Sequence, residues 1–387
     1  MKRILAVFIL LTFWAGCAFC APAVRAQSWI AVDRLTGTVL TSHNEDLKVN
    51  PGNTTALMVL YSAKKAIADG KISQKDKVRI TKTALTVPPL NASRVYVENN
   101  RTYSVSELIE AVAVTSANDA SVALSEHIGG SISGFVQIMN ENAKLLGMES
   151  THYVSPIAAS SEKQYSTARD TYRLSAALIQ EFPELEDLWT RKNIRHGPLE
   201  FKNSNSLIWK NPHIRGIHAS DANHKSWSVV GYYSEEQKES ENDYMYEFVA
   251  AVLNAPYHEH ADNDAYNLLT WSSSHFKTIL LYTPRDVIDK IPVALSADAQ
   301  VRVGVKQNVY LTIPKEAVSA SGAKAFSAVI ERMDPVVAPV RADDKIGTLH
   351  IYLDKTEVES ADLYAQHNVK ASTIWYEAWK KFKSFFD

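Results

Sequence analysis

Cysteine is almost missing from this chain of 387 residues, and the two present, Cys17 and Cys20, both fall in a leading segment built for removal. That segment carries Lys2-Arg3, an apolar run from Ile4 to Ala15, and small residues ending at Val24-Arg25-Ala26, which together read as an export leader over residues 1–26. A mature chain starting near Gln27 would have no disulfide and must rely on its core and domain packing. Cys17 follows Ala15-Gly16 as a lipid-bearing cysteine would, but Trp14 stands where an aliphatic residue is expected. Excess charge is missing too: a formal balance of −2 gives no basic footprint for phosphates and excludes nucleic acid as a partner. After the leader no apolar run is long enough to span a bilayer. Internal repeats and low-complexity linkers are also absent.

The length predicts two globular domains with terminal extras. Ser28 to Asp33 alternates as a strand, Thr36-Gly37 turns, and Thr38-Val39-Leu40 returns, giving a hairpin. Pro51-Gly52 then breaks the chain, Asn53 is placed to cap, and an apolar run continues to a stop at Gly70, predicting a buried helix. Three- and four-residue spacing predicts further helices over Val105–Val114, Ala120–Ile128, Ile132–Leu146 and Ala168–Glu181. Strands resume at Ile214–Ile217, Ser226–Tyr233 and Tyr246–Leu253, and a helix over Ala265–Leu281 is expected to close an α/β domain. Beyond Thr283-Pro284 the helical signal stops, and Val301–Val305, Asn308–Ile313, Phe326–Ile330 and Ile346–Leu353 read as strands of a small all-β domain.

The end of the chain has a different character. Ile374, Trp375, Trp379, Phe382, Phe385 and Phe386 gather on one face of a helix whose other face carries Glu377, Lys380, Lys381 and Ser384. Docking on the β domain is one reading of that face. Aromatic bulk beside lysines at a chain terminus suits a helix lying in the headgroup region of a membrane, and that reading is preferred.

Three stretches, Ser116-Ala117-Asn118, Gln164–Asp170, and Val309–Pro314 with Ala338-Pro339-Val340 and Ile346-Gly347-Thr348, together resemble the low-molecular-mass penicillin-binding proteins, the D-alanyl-D-alanine carboxypeptidases. Ser116-Ala117-Asn118 matches their Ser-x-Asn element, Gln164-Tyr165-Ser166-Thr167-Ala168-Arg169-Asp170 is similar to a downstream loop-to-helix segment, and Val309–Pro314 with Ala338-Pro339-Val340 and Ile346-Gly347-Thr348 is similar to their second domain. The resemblance implies an α/β fold: a serine β-lactamase/DD-carboxypeptidase-like domain of helix cluster and antiparallel sheet over residues 27–282, an all-β domain over 283–368, and an amphipathic helix over 371–387. It also implies a site of three parts: a serine activated by a lysine one helical turn on, a Ser-x-Asn loop, and a Lys-Thr-Gly strand holding the substrate carboxylate. Here the serine and lysine positions hold Asn53 and Ala56, and the Lys-Thr-Gly positions hold His218, Ala219 and Ser220. A carboxamide does not attack a peptide carbonyl and a methyl group does not accept a proton.

Ser62-Ala63-Lys64-Lys65 spells Ser-x-x-Lys on the same helix and makes Ser62 and Lys65 a candidate displaced pair. Nine residues turn Ser62 about 180° from Asn53 and carry it about 13 Å along the axis, so it is expected to face away, with Lys64-Lys65 a solvated helix end. His258-Glu259-His260-Ala261-Asp262-Asn263-Asp264 has metal-capable side chains but reads as a polar loop before a helix, so no metal and no cofactor are expected. Ser116 is read either as a cap for the helix entering at Asn118 or as a ligand contact. The ligand-binding candidates are thus Ser116, Asn118, His218, Ala219 and Ser220, with no confident catalytic residue. The resemblance then implies an exported, periplasmic protein lying peripherally on the cytoplasmic membrane. Its expected role is to bind peptidoglycan, a stem-peptide-like ligand or an envelope protein partner without carboxypeptidase activity. An active serine carboxypeptidase and a purely protein-binding scaffold are the alternatives.

Overall fold

The computed structural model describes residues 21–88, 92–158, 161–219, 227–238, 243–296, 298–316, 326–353 and 356–372. The terminal stretch holding Ile374, Trp375, Trp379, Phe382, Phe385 and Phe386 lies outside them, as do Cys17 and Cys20.

The first sheet is organised around the strand Asp243–Ala255, which pairs antiparallel with Trp227–Lys238 on one side and with Ser28–Asp33 and then Phe276–Tyr282 on the other. Ile214–Ala219 extends the sheet beyond Trp227–Lys238, and Val39–His43 lies beyond Ser28–Asp33. Alternation of side chains explains why the central strand is apolar without a break from Phe248 to Leu253. Val249, Ala251 and Leu253 enter the core shared with the helix cluster, while Phe248, Ala250 and Val252 enter a second core under the helix His258–His275. A strand buried on both faces has no solvent side to carry polar residues.

The helix Thr55–Ala68 is the hub of the first core, with 11 of its 14 residues buried, the polar Thr55, Ser62 and Lys64 among them. It ends as expected, with Gly70 at φ +70° after the last turn. Around it pack Val105–Thr115, Asn118–Gly129, Ile132–Leu145 and Ala168–Glu181. Their starts are fixed locally. Ser104 and Glu107 form a reciprocal capping box, and the Ser131 and Thr167 hydroxyls accept from the amides of Gly134 and Asp170.

A second sheet of six strands runs, in spatial order, Phe326–Arg332, Lys345–Leu353, Thr356–Ala365, Gln300–Gly304, Asp289–Ala294 and Val336–Val337. The strand Val309–Pro314 joins the first sheet instead, pairing with Phe276–Tyr282. Its alternation is as read: Val309, Leu311 and Ile313 enter the core of the second sheet. On the other face, Thr312 donates its hydroxyl to the buried Asp33 carboxylate at 2.8 Å, and Thr278 donates to the same oxygen. Burial holds the Asp33 carboxyl above its usual range despite these bonds.

Three expectations are corrected. The expected helix Ala265–Leu281 begins earlier, at His258, stops at His275 and gives way to the strand Phe276–Tyr282. Asn53 does not cap a helix but sits inside the tight turn Gly52–Thr54, and the Thr54 and Thr55 hydroxyls donate back to the carbonyls of Pro51 and Gly52 at 2.7 Å each. Lys64 is not solvated: it is 5% exposed, forms an ion pair with Glu184 and lies 5.7 Å over the ring of Phe182.

Candidate functional site

The turn Gly52–Thr54 packs against the strands Ile214–Ala219 and Trp227–Lys238, and both Asn53 and Ala56 are buried. Gly52 takes φ +56°, with its amide tied to the Asn50 side chain at 2.9 Å, so the chain turns sharply into the hub helix. Thr55 is fixed from the side by Gln164, whose amide donates to its hydroxyl at 3.2 Å and to the Ile157 carbonyl at 3.1 Å. The other end of that side chain accepts from the amides of Val154 and Ser155. Gln164 thereby anchors the segment that leads to the helix Ala168–Glu181.

Ser116 ends the helix Val105–Thr115 in the left-handed conformation at φ +55°. Its hydroxyl lies 3.1 Å from that of Ser204, while Ala117 takes the cap position of the helix starting at Asn118, so the capping role read for Ser116 is not the one it fills. Asn118 donates its side-chain amide to the carbonyls of Ser93 and Ser116 at 3.2 and 3.4 Å. The Ser93 hydroxyl in turn donates to the Thr115 carbonyl at 2.6 Å. Two chain crossings, at Ser93 and Ser204, are thus sewn to one tight Ser-x-Asn connection.

Beside it opens a cavity of about 450 Å³ lined by Ser93, Thr115, Phe201, Lys202, Ser204, Trp227 and His258. Sequence reading singled out only His258 among these, and as part of a loop. Phe201, Lys202 and Ser204 lie on and after the short hairpin Asn193–His196 and Leu199–Lys202, too brief to show periodicity.

His218 and Ala219 continue the strand Ile214–Ala219, opposite Val230 and Val229; Ser220 lies outside the described residues. Ser62 is 1% exposed, and its hydroxyl accepts from the Asn142 amide at 3.0 Å across the interface with the helix Ile132–Leu145. Lys65 pairs with Asp69 at 3.2 Å, one turn on. The candidate displaced pair is therefore divided between a helix–helix seam and a surface ion pair. The His258–Asp264 stretch forms the first turns of its helix. Asp262 accepts from the Ser206 hydroxyl, and Asp264 accepts from the amides of Arg25 and Ala26 at 2.9 Å each, with burial raising its pKa. Among the described residues no group of three or more His, Cys, Asp or Glu is placed to hold a metal ion.

Residues 17–238 match the family model described as D-alanyl-D-alanine carboxypeptidase, and residues 276–371 match that of the penicillin-binding protein 5 C-terminal domain. The chain belongs to the D-alanyl-D-alanine carboxypeptidase family. Curated relatives within this family include D-alanyl-D-alanine carboxypeptidase DacA of Haemophilus influenzae, 27% identical over 92% of this chain and 88% of the relative. DacC of Escherichia coli is 27% identical over 93% of this chain and 88% of its own length. The crystal structure of penicillin binding protein 5 from Haemophilus influenzae superimposes with a TM-score of 0.80 at 27% identity, covering 90% of this chain and 98% of that one. The fold is thus a serine DD-peptidase fold followed by an all-β C-terminal domain. Within it, this family member carries a carboxamide and a methyl group at the start of its hub helix.

Proposed function

We propose that the chain is an exported cell-envelope member of the carboxypeptidase family that no longer hydrolyses and instead binds peptidoglycan through the retained cleft. The observation that carries this reading is the buried pair Asn53 and Ala56 at the positions where the family pattern expects serine and lysine. A carboxamide nitrogen is delocalised into its carbonyl and has no lone pair for attack, and an alanine methyl has none to receive a proton. Loss of either member of an activated nucleophile pair costs several orders of magnitude in rate. Both lysines further along the helix are committed elsewhere, Lys64 to Glu184 and Lys65 to Asp69. In sequence, the Lys-Thr-Gly positions hold His218, Ala219 and Ser220, so the fixed cation that the family pattern expects for the substrate carboxylate is replaced as well.

The Ser-x-Asn connection supports binding without catalysis: its groups are held by Ser93 and Ser204 in a fixed shape next to an open cavity. Export after cleavage near Gln27, a periplasmic location and a surface-lying helix at 371–387 complete the proposal. The aromatic and lysine pattern of that last stretch supports membrane contact, and among the described residues no helix is long and apolar enough to cross a membrane. The test is to incubate the purified protein with a stem pentapeptide ending in D-alanyl-D-alanine, and separately with cell-wall sacculi. Retention on sacculi with no released D-alanine is expected; steady D-alanine release, or no retention, contradicts the proposal.

A further inference from the structure

We infer that the cavity beside Ser116 is the seat of a sugar ring of the peptidoglycan strand, received on an aromatic platform made by Tyr96 and Phe201. This deepens the peptidoglycan-binding reading above and rests on it. Tyr96 combines two costly features. It is 65% exposed, and it takes φ +59°, a conformation that bulky residues adopt only under constraint. The constraint is visible. The amides of Val95 and Val97, on either side, both donate to the carboxylate of Asp119, at 3.2 and 3.0 Å, and Asp119 is 1% exposed in the first turn of the helix that opens the Ser-x-Asn connection. Val95 and Val97 are themselves buried, so the segment is pinned inward on both sides and the Tyr96 ring is thrust out between them.

The ring is directed to a partner within the protein. Its centroid lies 6.3 Å from that of Phe201, with the planes tilted by 31°, and Phe201 lines the cavity. Trp227 lines it as well, braced edge-on by His258 at 4.8 Å. Aromatic faces carry negative charge density and receive the slightly positive C–H bonds of a pyranose ring, burying its apolar face. The polar residues Ser93, Ser204 and Lys202 line the same cavity and are of the kind that bonds a sugar ring's hydroxyl and acetamido groups. A cavity of about 450 Å³ matches one or two sugar residues better than an extended peptide strand, which would bond a sheet edge.

Calorimetric titration of the full chain tests this with two probes: a disaccharide-pentapeptide muropeptide and the same pentapeptide without sugar. The muropeptide is expected to bind at least ten-fold more tightly, and Tyr96→Gly or Phe201→Ala to bring it to within two- to three-fold of the bare peptide. Glycine adopts φ +59° without strain, so Tyr96→Gly should keep or raise the melting temperature, separating lost binding from lost folding. Equal affinity of the wild-type protein for both probes, or an undiminished sugar preference in Tyr96→Gly, overturns the platform while leaving the peptidoglycan reading in place. Binding of neither probe overturns both.

Discussion

The Ser62–Asn142 contact makes a quantitative prediction about the one literal Ser-x-x-Lys in the chain. Asn142 donates to the Ser62 hydroxyl at 3.0 Å, and the two residues are 5% and 1% exposed. Ser62→Ala removes the acceptor and leaves a buried N–H facing a methyl group, which costs about 1–3 kcal/mol. At about 2–4 °C per kcal/mol for a domain of 150–250 residues, the melting temperature should fall by roughly 2–12 °C. Replacing both partners, as Ser62→Ala with Asn142→Leu, removes the stranded donor, and the double variant should recover part of the loss with a coupling of about 1 kcal/mol or more. Differential scanning calorimetry on the four proteins of the cycle gives the answer. A Ser62→Ala variant with unchanged melting temperature and no coupling to Asn142 would refute the seam, and with it the argument that this hydroxyl is structural.

Two further outcomes follow from the backbone and from a buried charge. Gly216 sits at φ +105°, and an added Cβ would come within 2.7 Å of the Trp189 Cβ, so Gly216→Ala should cost about 1–3 kcal/mol from strain alone, measured as a lower urea midpoint. Burial raises the Asp33 carboxyl pKa, so folding favours its protonated form; that stabilising contribution is full below the ordinary carboxylate pKa and is lost as pH climbs through the raised one. Asp33→Asn should therefore gain on the wild type in melting temperature as pH rises from the acid side toward neutrality, and a difference that stays flat across that window contradicts the assignment.

Much of the fold was legible because its elements obey local rules. The helices Val105–Thr115, Ile132–Leu145 and Ala168–Glu181 show clean three- and four-residue spacing with a serine or threonine at each start, and the strand Val309–Pro314 alternates as a half-buried strand should. The misread places are those where tertiary contacts override a local rule. His258–Asp264 looks like a polar loop, yet Asp262 and Asp264 point inward because the Ser206 hydroxyl and the Arg25 and Ala26 amides need acceptors there. Lys64 looks like a surface charge, yet its ammonium lies over the ring of Phe182 and pairs with Glu184. At the site, Ser116 and Asn118 were visible as a motif. Ser204, Phe201 and Tyr96 were not, because a hydroxyl across a chain crossing and a tyrosine whose flanking amides bond a distant carboxylate leave no periodic trace.

The account's central claim, that an amide and a methyl replace the reacting pair, is tested most directly by intact-protein mass spectrometry after incubation with excess benzylpenicillin. It predicts the unmodified mass for the wild-type protein and for Ser62→Ala alike. A stable mass increase of one penicilloyl group on the wild-type chain would contradict it.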